Sequence, residues 1–118
     1  MAGIQPADYN GAVPVDGYGP GFFRVGGEVY RGPVLVEADG VHAWGGLEDL
    51  DTLLLLGGKV DVLFLGMGAE NVPPPKALVA ALESREVMVE PMSTPSAARS
   101  YNVTLSEGRR VASALLPL

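Results

Sequence analysis

From Val60 to Leu65 the chain reads Val, Asp, Val, Leu, Phe, Leu, with Gly57-Gly58 before it and Gly66-Met67-Gly68 after it. A nearly continuous apolar run of this length, bounded by turn residues, fits a strand covered on both faces, as strands of a parallel sheet are. Such a strand needs helices to cover it. The flanking sequence supplies them, and the fold class follows from how they alternate.

Upstream, Leu47, Leu50, Leu53 and Leu54 recur at helical spacing with Glu48, Asp49 and Asp51 between them, and Gly57-Gly58 ends the segment. Downstream, Pro73-Pro74-Pro75 can open a helix because proline is tolerated in a first turn, and Leu78, Ala81 and Leu82 give that helix a buried stripe. Val87 to Glu90 reads as a short strand. Thr94 followed by Pro95 predicts a helix start, with the threonine hydroxyl as cap, and the helix runs to about Glu107 with Gly108 as its stop. Val111 to Leu116 is β-prone and is expected to close the sheet. Before all this, from Val13 to Ala43, short β-prone segments alternate with Gly26-Gly27 and Asp39-Gly40, the pattern of an antiparallel meander. The prediction is an α/β domain whose largely parallel sheet carries packed helices, preceded by a β-rich meander.

Residues 1–12 are small and polar and read as a flexible arm, leaving 13–118 as a single domain. With 118 residues and 47% hydrophobic content, one core is the natural outcome. The absence of cysteine excludes disulfides, thiolate nucleophiles and thiolate metal sites, and the lone His42 cannot build a multi-histidine site. Carboxylate-bound Mg²⁺ stays open; otherwise no metal or cofactor is expected. A net charge of -6 argues against nucleic acid as a partner. The longest apolar stretches fall short of the roughly 18 residues a membrane span requires. The first cationic side chain is Arg24, so no signal or organelle presequence is read, and a cytoplasmic location is expected.

Four stretches stand out for function: Asp16-Gly17-Tyr18-Gly19-Pro20-Gly21-Phe22, Leu65-Gly66-Met67-Gly68, Met92 to Asn102, and Glu107-Gly108-Arg109-Arg110-Val111. With Trp44, in this order and spacing, they resemble a small family of uncharacterised domains that includes a mitochondrial respiratory complex I assembly factor and short bacterial and archaeal homologues. The likeness covers residues 13 to 116. It implies a three-layer α/β fold with a mixed central sheet, and a role in binding an assembly partner and early membrane-arm intermediates without known catalysis. Lacking the targeting extension of mitochondrial members, the chain is expected to be a bacterial homologue.

The residues themselves suggest two kinds of site. If the strands ending at Leu65 and Glu90 are parallel neighbours, Gly66, Met67 and Gly68 meet Ser93 and Thr94 at one sheet rim, where α/β folds form ligand crevices, with Asn102 nearby. The helix N-terminus after Thr94 suits a carboxylate or phosphate. The same glycines also fit a plain turn, and the threonine a plain cap. The second candidate is a protein-binding surface made of Tyr18, Phe22, Trp44, Arg99 and Arg110, since aromatic and arginine side chains dominate interface hot spots. For Trp44, and for one of Phe22 and Phe23, a core position is the competing reading. Self-association is compatible with either site. His42 with Asp39 or Glu37 could be imagined as a base, but no serine sits on a nucleophile elbow, and no catalytic set is predicted.

Overall fold

The structure, a computed structural model, describes Tyr9 and residues 11–118, so most of the expected 1–12 arm lies outside the described residues. Three strands, β1 (Val15–Gly19), β2 (Phe22–Val25) and β3 (Glu28–Arg31), form an antiparallel sheet of their own. The β2–β3 turn is Gly26-Gly27, both with positive φ (58° and 83°), the conformation that a two-residue hairpin matching strand twist demands. Asp16 fixes it by accepting the Gly27 N–H at 2.8 Å.

The predicted meander does not continue as one sheet. After Gly32-Pro33 the chain enters a second sheet with β4 (Val34–Glu37) and β5 (Gly40–Ala43), paired so that Ala38 and Asp39, one residue earlier than expected, form the turn. This sheet is completed by β6 (Val62–Gly66), β7 (Met88–Met92) and β8 (Val111–Leu115), in the order β5-β4-β8-β6-β7. β6 runs parallel to β7 and β8, whereas β4 is antiparallel to both β5 and β8. The sheet is therefore mixed in equal parts instead of mostly parallel, because the β4–β5 hairpin joins it. Nor does the last strand close an edge. β8 lies in the middle, and all five of its residues are buried.

Three helices connect these strands: α1 (Leu50–Leu54), α2 (Lys76–Glu83) and α3 (Thr94–Ser106). α1 starts later than the leucine spacing predicts because Asp49 caps it. Its carboxylate accepts the Thr52 N–H at 3.3 Å, the Thr52 hydroxyl at 2.7 Å and the Gly45 N–H at 2.9 Å. Among the described residues no helix is long and apolar enough to cross a membrane.

Strand alternation divides the core. In β6, Leu63 and Leu65 join the cluster containing Leu53, Leu78 and Leu82 of α1 and α2, while Val62 and Phe64 join the one containing Ala97, Ala98, Tyr101 and Leu105 of α3. Phe23 and Val25 of the small sheet belong to the α3 cluster too. Each fully buried leucine contributes about 2 kcal/mol by removal from water, so β6 is held from both sides. At the far edge, Pro91 sits in β7 between Glu90 and Met92. The Met88 N–H donates to Asp61 and the Met92 carbonyl accepts from Met67, so these alternate positions face β6 and Pro91 faces outward. Its missing N–H blunts an edge that would otherwise invite strand addition.

Candidate functional site

The parallel pairing of β6 and β7 brings Gly66, Met67, Gly68, Ser93 and Thr94 to one rim, as their sequence positions suggest. What forms there is a closed seam. The Thr94 N–H donates to the Gly68 carbonyl at 2.7 Å, and the Gly68 N–H donates back to the Thr94 hydroxyl at 2.9 Å. The hydroxyl in turn donates to the Leu116 carbonyl at 2.7 Å, the Leu116 N–H donates to Gly66, and the Met67 N–H donates to Met92. Thr94 is fully buried. A Cβ on Gly66 would stand 2.8 Å from the Thr94 hydroxyl and 2.9 Å from its Cα, so glycine is needed for this close approach. Groups that would receive an anion are thus already bonded to one another.

Thr94 also differs from its predicted role. The N-cap of α3 is Ser93, with Thr94 inside the helix, and the Ser93 hydroxyl donates to Ser96 rather than to the backbone. The threonine hydroxyl ties three strand ends together instead of capping.

Along α3 the sequence reading holds closely. Ala97, Ala98, Tyr101 and Leu105 are buried, Arg99 is exposed, and Asn102 sits between. Asn102 is a clamp: its carbonyl accepts the Val15 N–H at 2.8 Å and its amide donates to the Val15 carbonyl at 2.8 Å. One side chain thereby replaces a strand partner for the start of β1 and docks the small sheet on α3. Tyr101 adds a second tie by donating its hydroxyl to the Val13 carbonyl at 2.9 Å. Burial, reinforced by the negative charges of Glu37 and Asp39, pushes its pKa above the ordinary tyrosine value. It stays a neutral donor.

Two open cavities flank α3. One, of about 360 Å³, lies between α3 and β1 and is lined by Tyr18, Arg99, Asn102 and Val103 among others. The other, of about 500 Å³, lies between α3 and the β6–β7 edge, with Phe64, Met88, Met92, Arg99 and Val103 in its walls. Arg99 and Val103 line both, so the two cavities form a continuous surface with these residues as its ridge. Tyr18, Val103 and Met88 are 41%, 52% and 54% exposed. Among the described residues Arg99 makes no ion pair.

The other expected surface residues are placed elsewhere. Trp44 is 4% exposed in the α1–α2 core, with its indole N–H donating to the Asp49 carbonyl at 3.1 Å, so it is not available to a partner. Packing won because the ring is enclosed in the cluster with Leu53, Leu56 and Leu82 while its one polar group is satisfied by the Asp49 carbonyl. Phe22 is half-buried beside Gly19, its cross-strand partner, while Phe23 fills the core. Arg110 is exposed but occupied, bonded to Asp61 at 2.6 Å and to the Gly58 carbonyl at 3.3 Å. That guanidinium holds the Asp61 pKa below the ordinary carboxylate value. Met88, Met92 and Val103 were missed by sequence reasoning, although Val103 stands four residues after Arg99, the spacing of one helical face.

Chemically the surface offers an aromatic hydroxyl, a guanidinium and apolar side chains. The single histidine contacts Glu37 and Asp39, and among the described residues no serine or threonine hydroxyl bonds to it. Fold and surface together define a small mixed α/β domain with an exposed apolar and arginine-bearing surface along α3.

The chain belongs to the family described as protein of unknown function (DUF498/DUF598), whose profile matches residues 15–116. An uncharacterized protein of Rhodobacter capsulatus is 55% identical over 118 residues, covering 100% of this chain and 94% of that protein. The NADH dehydrogenase [ubiquinone] 1 alpha subcomplex assembly factor 3 of Danio rerio is 28% identical over 121 residues, covering 97% of this chain and 70% of the relative. Among solved structures, one described as an outer membrane protein from Bartonella henselae matches with a TM-score of 0.82 at 32% identity, covering 91% of this chain and 96% of that one.

Proposed function

We propose that this domain is a non-catalytic protein-binding module that assists assembly of a respiratory NADH dehydrogenase, acting from the cytoplasm of a bacterial cell. Its contact surface is the α3 ridge, Arg99 and Val103, with Tyr18 on one side and Met88 and Met92 on the other. The observation that carries the reading is this continuous exposed surface of aromatic, thioether and aliphatic groups around an arginine free of ion pairs among the described residues. Methionine-lined grooves adapt to apolar partner side chains, and arginine and tyrosine serve as anchors. The relationship to the assembly factors supports the choice of partner. A ligand crevice at the strand ends is the weaker reading, since the Gly68 and Thr94 groups it would use are engaged with each other.

The test is affinity capture from cells that make both this protein and NADH dehydrogenase. Subunits of that enzyme or of its assembly intermediates are expected with the wild type and lost with Tyr18→Ala or Arg99→Ala. Equal recovery by wild type and variants, or recovery of none of those subunits, refutes the assignment.

A further inference from the structure

A third group of side chains lies outside both the seam and the α3 surface. Glu37, at the end of β4, and His42, in β5, are placed diagonally on one face of their hairpin by the pairings Glu37↔Gly40 and Leu35↔His42, and Asp39 occupies the turn between them. His42 Nε2 lies 3.1 Å from Glu37 Oε2 and 3.1 Å from Asp39 Oδ1. One ligand atom from each of the three residues falls within 4.8 Å of the others.

We propose that Glu37, Asp39 and His42 form a binding site for a divalent transition-metal ion of the zinc or nickel kind. The ring nitrogen makes its hydrogen bond to Asp39, while Glu37 Oε2 stands at the same 3.1 Å with no hydrogen bond of its own to the ring among the described residues, and a cation between the three would engage both carboxylates at once. With metal–ligand distances of about 2.1 Å, neighbouring donors stand about 3.0 Å apart in octahedral and about 3.4 Å apart in tetrahedral coordination, and the two imidazole–carboxylate distances of 3.1 Å lie between these values. The third edge, between the two carboxylates, is within 4.8 Å and closes as the ion binds.

Charge points the same way. Neither carboxylate makes an ion pair with a lysine or arginine among the described residues, and the Glu37 side chain is only 14% exposed. Two carboxylates balance one divalent ion, and an imidazole donor selects zinc, nickel or copper over magnesium or calcium. Lys59, Arg109 and Arg110 line the cavity beside Glu37 and Asp39 and weaken the attraction. The site is accordingly of moderate affinity. Two of its ligands sit on hydrogen-bonded strands, and three protein donors leave at least one coordination position for water or a partner's side chain.

The experiment is titration of chelator-stripped full chain with zinc chloride, followed by calorimetry and by amide and imidazole NMR signals. One saturable equivalent is expected, with shifts centred on residues 37–42, no matching response to magnesium chloride, and affinity reduced about tenfold or more by His42→Ala and by Glu37→Gln. The amide spectra of these variants report whether each remains folded, and Asp51→Asn, on α1, should bind as the wild type does. Failure to saturate by millimolar zinc, or undiminished binding by folded His42→Ala, overturns the proposal. So does an imidazole that responds only to pH, which would mean that a protonated His42 alone bridges the carboxylates.

Discussion

Replacing Thr94 by valine preserves the shape of the side chain and removes only its hydroxyl, so it isolates the bonds that close the strand ends. The hydroxyl accepts from Gly68 at 2.9 Å and donates to Leu116 at 2.7 Å, at a position with no solvent exposure. A buried group deprived of its partner costs about 1–3 kcal/mol. Gly68 and Leu116 are themselves only half-buried, so water recovers part of the loss, and a combined destabilisation of about 2–3 kcal/mol is expected. Thr94→Ser keeps both bonds and loses one methyl, about 1 kcal/mol. In urea, with a slope near 1.5 kcal/mol per molar, the valine variant should lower the unfolding midpoint by roughly 1.3–2 M and the serine variant by less. The order wild type, serine, valine is the diagnostic result. A valine variant within about 0.5 kcal/mol of wild type would refute the seam and restore an open crevice at this rim.

Asn102→Leu removes both bonds to Val15 and is expected to cost about 1–3 kcal/mol, with hydrogen exchange accelerated first at Val15 and its neighbours; uniform acceleration across the domain would contradict a local clamp. Asp49 should titrate below the ordinary carboxylate value of 3.8, because the Thr52 hydroxyl and then the Gly45 N–H stabilise its charged form. A depressed native pKa contributes stability above 3.8 that is lost as pH falls through the native value. NMR titration of the Asp49 carboxyl should therefore show a low midpoint, accompanied by loss of amide protection at Gly45 and Thr52; a midpoint at or above 3.8 would dismiss the cap's electrostatic role.

Much of this protein is written in local pattern. Hydrophobic period and glycine placement marked β2, β3, β4, β6, β7, β8 and α3 to within a residue or two, and the 3.6-residue period sorted Tyr101 inward and Arg99 outward. Those features depend on neighbours in the chain. The site was legible only in part: Tyr18, Arg99 and Asn102 were picked out, but not that they border one cavity; Trp44 was assigned to a surface that packing withholds from it, and Arg110, exposed and paired with Asp61, lies outside both α3 cavities.

What the sequence settled alone was most of the strand and helix segments and which side of each is apolar, because backbone sterics and burial act over a few residues; the glycine-rich stretch from Asp16 read as a loop, and pairing with β2 makes Val15–Gly19 a strand. Tertiary structure decided strand order, the insertion of β8 between β4 and β6, the departure of β4 and β5 from the first sheet, and the use of Thr94 as a bolt across three strand ends. Those outcomes join residues such as Thr94 and Leu116, or Asn102 and Val15, that are distant in the chain. No local period encodes such pairings; they are fixed only when two buried faces and their unpaired backbone groups must be satisfied at once.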